Sequence, residues 1–277
     1  MMRNTAEPSA CHLQVGTSGY SYPEWSDAGF YPPGTPAREM LPLYTRRFSV
    51  TELNYTWYQM PKAPAMERMI PKVPPAFGFA AKLTRTLTHE VDPHGWRGQA
   101  ALFRSGIAPL MQARRLLAVL VQMPPSFERG RAQRLYLAQL LDELTGLPLA
   151  VEFRHRSWAV DRVFSALENR RVTLVAVDVP DLPHLFPALE VVTNPDLFYI
   201  RFHGRNARGW RSGNMQKQFD YNYTPAELQR WSQGRIPKMA ARARTGILFF
   251  NNHVRAQAPG NAQLLKEQLA AQGFAPG

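Results

Sequence analysis

Cysteine is almost absent from this chain of 277 residues, in which Cys11 is the only one. A single thiol excludes a disulfide framework within the chain, iron–sulfur ligation and a four-cysteine zinc site. Long apolar runs are missing too, since no stretch approaches the roughly 20 residues that a membrane-spanning helix needs. The N-terminal MMRNTAEPSACHL also lacks the apolar core of a signal peptide. These absences predict a soluble, cytoplasmic protein without a membrane partner.

Acidic side chains are scarce as well. The chain has 21 Asp and Glu against 33 Lys and Arg, which gives a formal net charge of +12. Hydrophobic residues make up 45% and charged residues 19%, a composition typical of a globular protein rather than a disordered one. The basic excess favours a polyanionic partner or an anionic substrate, and a solvated basic surface is the alternative. The sequence leaves the oligomeric state open.

Eight short apolar runs predict buried parallel strands. They are rich in Val, Ile, Leu and Phe and show no polar alternation before their last residues, as expected of strands covered on both faces. The predicted strands cover residues 13–17, 50–53, 77–82, 116–122, 149–153, 173–178, 197–203 and 247–251.

Helical patterns lie between these runs and set the fold class. We predict a helix over 157–170 with Ser157 as its N-cap, and another that begins with a capping box at 224–227. Strands that alternate with helices over this length predict a single TIM (β/α)8 barrel over residues 13–272, after an N-terminal tail over 1–12. A doubly wound open sheet is the competitor, but the chain has neither G-x-G-x-x-G after its first strand nor a P-loop.

In a TIM barrel the functional groups lie where the strands end. Side chains two residues apart share a face of a strand, so the polar residues at the ends of the predicted strands should converge on one ring at the barrel mouth. For the sixth strand this alternation predicts that Leu174, Ala176 and Asp178 face inwards. The predicted ring contains Glu52, Asn54, Lys82, Gln122, Glu152, Arg154, Asp178, Arg201, His203 and Asn251.

The acidic members of the ring and its histidine are candidate general acids and bases. The structural alternative is that they form ion pairs, such as Glu152 with Arg154 or Asp178 with Arg201. For any single residue the two interpretations are about equally weighted, but so many ionisable side chains at one mouth favour a binding site. The predicted catalytic residues are Glu52, Glu152, Asp178 and His203.

The cations of the ring suit a carboxylate or phosphate, and Arg154 and Arg201 are predicted to bind this anion directly. A divalent metal held by Glu152, Asp178 and His203 is a less favoured alternative, because cations stand beside these groups. The sequence therefore predicts no metal site and requires no cofactor.

The loop after the seventh strand, residues 204–223, is long enough to suggest a function. It mixes Arg205, Arg208, Arg211 and Lys217 with aromatic residues, and this mixture suits phosphates and stacked bases. We therefore expect an anionic small molecule or a nucleic acid as partner. The predicted ligand-binding residues are Asn54, Lys82, Gln122, Arg154, His155, Arg201, Arg205, Trp210 and Asn251.

The segments VGTSGYSYPEW, FYPPG, ELNYTWYQMP, AVEFRHRSW, VDVP, YIRFHGR, FDYNY and FFNNHVRAQAPGNA follow one another between about residues 15 and 262. As an ordered set they resemble the YecE-like family, domain of unknown function 72. The resemblance implies a TIM barrel and brings no reaction with it. Tyr20 stands where the family usually has Trp, and Ala256 where it usually has Gly. The family residues that carry over are Glu52, Asn54, Glu152, Arg154, His155, Asp178, Arg201, His203 and Asn251.

Three hypotheses on function remain open. The first is a protein that binds a phosphate-bearing or nucleic-acid ligand, with phosphoester hydrolysis as its enzymatic form. Fold analogy alone links it to the endonuclease IV group, whose His-rich trinuclear metal site is not reproduced here. The second is a sugar or sugar-phosphate isomerase or a glycosidase-like enzyme that pairs Glu52 with Glu152 or Asp178. The third is a non-catalytic anion-binding module.

Overall fold

The strands form one closed parallel barrel, which confirms the predicted TIM barrel. This computed structural model describes residues 11–277, so the predicted N-terminal tail lies outside the described residues up to position 10. The barrel closes where β1 pairs with β8 as well as with β2. The strands are β1 His12–Ser18, β2 Val50–Leu53, β3 Gly78–Lys82, β4 Leu116–Gln122, β5 Leu149–Glu152, β6 Thr173–Asp178, β7 Leu197–Phe202 and β8 Thr245–Phe250.

Helices connect the strands, and apolar residues of both pack into one continuous core. Within residues 11–277, no helix is long and apolar enough to cross a bilayer. The α-helices are α1 Glu24–Asp27, α2 Ala37–Tyr44, α3 Tyr55–Tyr58, α4 Ala63–Met69, α5 Trp96–Gln112, α6 Arg131–Glu143, α7 Asp161–Asn169, α8 Ala207–Arg211, α9 Met215–Phe219, α10 Pro225–Arg230, α11 Ile236–Ala240 and α12 Gln257–Ala270.

Two predicted helix starts had different outcomes. The capping box of α10 is confirmed, because the hydroxyl of Thr224 accepts from the backbone of Glu227 while the Glu227 carboxylate accepts from the Thr224 N–H. Ser157 is not the N-cap of α7, which begins at Asp161. Its hydroxyl instead accepts from the backbone N–H of Arg129 at 2.8 Å. This hydrogen bond connects the segment after β5 to the loop after β4.

The register between strands decides which side chains face the barrel interior. Arg201 on β7 is level with Phe249 on β8 and with Val177 on β6, so all three point inwards. Asp178 is level with Phe202 and therefore points outwards, towards the helices. The inward orientation predicted for Asp178 is wrong, because both faces of β6 are apolar and the alternation did not reveal which one was inside.

One departure from the family pattern lies in the turn between β8 and α12. Ala256 has a φ of 56°, in the left-handed region. A Cβ costs roughly 1–2 kcal/mol in this conformation and a glycine has none, so the family's usual glycine fits the same turn without strain.

Candidate functional site

A buried ion-pair network with Arg201 at its centre lies at the carboxyl end of the barrel. Nη2 of Arg201 donates to Oε1 of Glu52 at 2.6 Å, and Nη1 donates to Oε2 of Glu152 at 2.7 Å. The other oxygen of Glu52 accepts from the hydroxyl of Tyr199. Burial and the adjacent Glu52 raise the pKa of Tyr199 well above its ordinary value, so this hydroxyl stays a donor. These four side chains are buried, and three hydrogen bonds join them into one chain.

A second layer of the network surrounds Oε1 of Glu152. This oxygen lies 2.5 Å from Nε of Arg154 and 3.2 Å from Nε2 of His203. Burial opposes the charge of Glu152, but Arg154 and Arg201 outweigh it and hold the pKa of this carboxyl well below its usual range. Glu152 is therefore ionised, with a hydrogen bond from Arg201 on one oxygen and Arg154 and His203 close to the other.

His203 is held as a neutral ring. Burial and the charge of Arg154 lower its pKa to about 3. Its Nδ1 lies 3.1 Å from Nδ2 of Asn251, which can only donate, while Nε2 faces the Glu152 carboxylate. This pair of partners fixes the proton on Nε2.

A cavity of about 580 Å³ opens above this network, within the size range of small-molecule sites. The ends of β3 and β4 and the loops after β2, β5, β7 and β8 contribute to its wall. Its lining includes the cations Lys82 and Arg154, the amides Asn54, Gln122 and Asn251, the histidines His89, His184 and His253, and the rings of Tyr22, Trp57, Tyr58, Trp210 and Phe219.

Arg154 offers the end of its guanidinium to the cavity. Its Nε forms a close ion pair with Oε1 of Glu152, and its central carbon lies 5.5 Å from the centre of the Trp210 ring. The two terminal nitrogens have no hydrogen-bond partner among residues 11–277. A guanidinium held at its Nε in this way is oriented to bind an oxyanion with the fork of its terminal nitrogens.

Lys82 is the last residue of β3 and directs its amine into the same cavity. Nζ lies 4.9 Å from the centre of the Trp57 ring, and no carboxylate of the described residues comes within ion-pair distance of it. Burial and the charge of Arg201 lower the pKa of Lys82 to about 7. Burial and Lys82 in turn lower the pKa of His89 to about 4, so this imidazole is neutral.

The structure thus places most of the predicted site residues either on the cavity wall or in the buried network beneath it. Six predicted ligand-binding residues line the cavity together, namely Asn54, Lys82, Gln122, Arg154, Trp210 and Asn251. Glu52, Glu152, Arg201 and His203 lie beneath them in the buried network. The prediction that Arg201 binds an anion directly is therefore wrong, because both of its terminal nitrogens are already bound to carboxylates.

Asp178 and Arg205 form a separate cluster behind β6. The Asp178 carboxylate accepts from Nε of Arg205 at 2.8 Å, from the hydroxyl of Tyr223 at 2.9 Å and from Nε1 of Trp231 at 2.6 Å. Its ion-pair partner is thus Arg205 rather than Arg201. Neither Asp178 nor Arg205 lines the cavity, which contradicts their predicted roles at the mouth.

The structure does not support the alternative metal site. Its three proposed ligands, Glu152, Asp178 and His203, lie in two different clusters. In the part of the chain that the structure describes, no three His, Cys, Asp or Glu side chains gather as metal ligands.

His155 has a structural position as well. Its Nδ1 lies 2.8 Å from the hydroxyl of Ser157 and caps the short 3-10 helix Arg156–Trp158. It is absent from the cavity lining, so the structure does not bring it to the predicted ligand site.

Sequence reasoning did not select the three histidines of the cavity. His89, His184 and His253 follow β3, β6 and β8 in the loops, with no ligand-like spacing between them. The one available signal was that each stands a few residues beyond the end of a strand, and many loop residues share it.

The altered pKa of Lys82 predicts a pH dependence of stability. The unfolded chain has a lysine pKa of about 10.4 and therefore holds more protons than the folded protein between the two values. The free energy of unfolding should rise with pH above about 7, and this rise should be smaller in Lys82→Met.

Urea unfolding at several pH values measures this rise, with the exposed Lys72→Met as control. The groups that face Lys82, namely Glu52, Glu152, Arg154, Arg201 and His89, are the same in all three proteins. Parallel curves for wild type and Lys82→Met would contradict the shift.

Comparisons with known proteins agree with the fold and provide no reaction. Residues 14–276 match the family described as "Protein of unknown function DUF72". The chain is 25% identical to the UPF0759 protein YunF of Bacillus subtilis, over 95% of this chain and 98% of that protein. A crystal structure of a DUF72 family protein from Thermotoga maritima superposes with a TM-score of 0.84 at 34% identity, covering 94% of this chain and 99% of the other. Another, from Enterococcus faecalis, gives a TM-score of 0.83 at 26% identity, covering 93% and 95%.

Proposed function

The chain belongs to the DUF72 family, which is defined without a function, and we propose that it binds a small phosphate- or carboxylate-bearing molecule in the cavity at its barrel mouth. The observation that carries this proposal is the charge of the lining. Arg154 and Lys82 are its basic side chains, and no Asp or Glu belongs to it within the described residues. An anion entering the cavity meets these cations without competition from a carboxylate at the surface.

The rest of the lining favours a ligand with a planar or ring-shaped part. Trp57 and Trp210 lie next to the two cations, so a ring stacked on either indole keeps its anionic group within reach of Arg154 or Lys82. Oδ1 of Asn54 and Nε1 of Trp210 are buried without a hydrogen-bond partner among residues 11–277. Unmet polar atoms of this kind cost about 1–3 kcal/mol each, and a ligand with a donor and an acceptor would remove that cost.

The two-carboxylate alternative has no support from the geometry. A glycosidase-like reaction needs one carboxyl group to protonate the leaving group and another to act as base or nucleophile. Here the oxygens of Glu52 and Glu152 are bound to Tyr199, Arg201, Arg154 and His203 under the cavity floor.

A nucleic-acid strand is the second candidate, favoured by the rim of the cavity. Arg208 and Arg211 on α8 and Lys217 on α9 are exposed. Their side chains form no ion pair within residues 11–277. They are available for backbone phosphates, in contrast to Arg205.

Titration with pyrophosphate tests the proposal, with Arg154→Gln and Arg208→Gln as matched variants. We expect Arg154→Gln to weaken binding at least about tenfold, since a charge-assisted hydrogen bond contributes about 1.5–3 kcal/mol. Arg208→Gln should change the calorimetric Kd less than about threefold, because its charge lies on the solvated rim. Equal affinity in wild type and Arg154→Gln would remove the cavity as the binding site.

Wild type, Arg154→Gln and Arg208→Gln also test whether a nucleic acid is the ligand. If a single strand binds along the rim, Arg208→Gln should reduce the salt slope of log K by about 0.7, while Arg154→Gln leaves it unchanged. An oligonucleotide that binds with the same slope to all three proteins would indicate only a diffuse basic surface.

A further inference from the structure

We propose that the amine of Lys82 forms a Schiff base with an anionic aldehyde or ketone bound in the cavity. This inference rests on the proposed function, because Arg154 is the group that holds the anion of such a substrate. It adds a covalent step and names the substrate class, namely a carbonyl compound that also bears a phosphate or carboxylate.

A partly buried position without a partner among the described residues sets Lys82 apart from the other lysines, because Lys62, Lys72 and Lys217 are exposed. Lys238 is paired with Glu190, and Lys266 donates to the backbone carbonyl of Arg47. Lys82 has neither kind of partner within residues 11–277, although it lies on the wall of a large cavity. A lysine meant only to neutralise a carboxylate would be paired with one of the two buried just below it, but both are held by Arg201.

Its protonation state agrees with a nucleophilic role. Only a neutral amine has a lone pair for attack on a carbonyl carbon, and an ordinary lysine has very little of this form at pH 7. Because its pKa is lowered to about 7, Lys82 has far more of the neutral amine at that pH than an ordinary lysine has. The physical cause is a desolvated position near Arg201 and Arg154, and this is the arrangement that activates amines for covalent catalysis.

The division of tasks between the two cations follows from their chemistry. Arg154 keeps its charge at any working pH and can bind the anionic end of the substrate through its two terminal nitrogens. Lys82 can then attack the carbonyl carbon of the same molecule. A C–N bond forms and gives a carbinolamine, and the C–O bond then breaks. The oxygen leaves as water with one proton from the amine and one from solvent, and a protonated imine remains.

Reductive trapping tests this step with two aldehydes that differ by one phosphate group. Wild type, Lys82→Met, Lys72→Met and Arg154→Gln are each incubated with glycolaldehyde phosphate or with glycolaldehyde, in the presence of cyanoborohydride. The hydride converts an imine into a stable secondary amine, which peptide mass spectrometry assigns to a lysine. We expect the phosphorylated probe to modify Lys82 at least about tenfold faster than Lys72, because its phosphate is held by Arg154. Glycolaldehyde should show a much smaller preference, and pyrophosphate should protect Lys82.

The outcomes separate this inference from the proposed function. Calorimetry with pyrophosphate reports anion binding without any covalent step. If pyrophosphate binds in an Arg154-dependent way but Lys82 is trapped no faster than Lys72, the Schiff base is refuted and the anion site remains. If Lys82 is trapped equally fast by both probes and in Arg154→Gln, the lysine is reactive but selection of an anionic carbonyl compound is refuted. Preferential trapping at Lys82 that is lost in Arg154→Gln supports both.

Discussion

Replacing Arg201 with methionine should lower the free energy of unfolding by about 3–5 kcal/mol, because it leaves two buried carboxylates without the cation between them. Arg201 donates to Glu52 and Glu152 at 2.6 and 2.7 Å, and all three side chains are buried. Methionine keeps an unbranched apolar stem and removes the guanidinium group, so the loss of the charge and its hydrogen bonds dominates. Urea unfolding at pH 7 measures the change.

The exposed Arg208→Met is the matched control and should change stability by no more than about 0.5 kcal/mol. The sign of the pH dependence adds a second check. The low pKa of Glu152 contributes its full stabilisation above the pKa of an unfolded glutamate, about 4.3, and this contribution is lost as the pH falls from there through the lower pKa of the folded state. The deficit of Arg201→Met should therefore be largest at neutral pH and shrink as the pH falls into this range. A stable variant that loses anion binding would instead restore Arg201 as a ligand.

Asp178→Asn should lower the free energy of unfolding by about 2–4 kcal/mol and leave anion affinity unchanged. The carboxylate accepts from Arg205, Tyr223 and Trp231. An asparagine directs an NH₂ group at some of these donors, and each buried group that loses its partner costs about 1–3 kcal/mol. Thermal and urea unfolding measure the stability, and pyrophosphate calorimetry measures the affinity.

Asp142→Asn is the control for this variant, since Asp142 forms an exposed pair with Arg170 that should contribute no more than about 1 kcal/mol. If Asp178→Asn remained as stable as wild type but bound the anion at least about tenfold more weakly, Asp178 would belong to the cavity and not to the outer layer.

The strands and their order could be predicted from the sequence because a parallel barrel buries both faces of each strand. The runs that become β2, β4 and β6 have the predicted bounds. Because both faces of such a strand are apolar, the sequence does not show which face points into the barrel. In β5 the polar Glu152 faces inwards as predicted, whereas in β6 the polar Asp178 faces outwards.

The division of the site into cavity and buried network could not be predicted, because it depends on partners far apart in the chain. Glu52 and Arg201 are 149 residues apart, and Asp178 and Trp231 are 53 apart. A strand-end carboxylate has the same sequence signature whether it meets a substrate or an arginine. Only the registers of β2, β3, β5 and β7 bring Glu52 and Glu152 to Arg201 and leave Arg154 and Lys82 facing the cavity.

Anomalous diffraction from crystals soaked in tungstate locates a bound tetrahedral oxyanion directly. In wild-type crystals we predict a tungsten peak in the cavity, with oxyanion oxygens within hydrogen-bonding distance of the terminal nitrogens of Arg154 and of Nζ of Lys82. The peak should be lost in crystals of Arg154→Gln. Peaks confined to the rim at Arg208 and Arg211, or a cavity peak that persists without Arg154, would contradict a binding site built on these two cations.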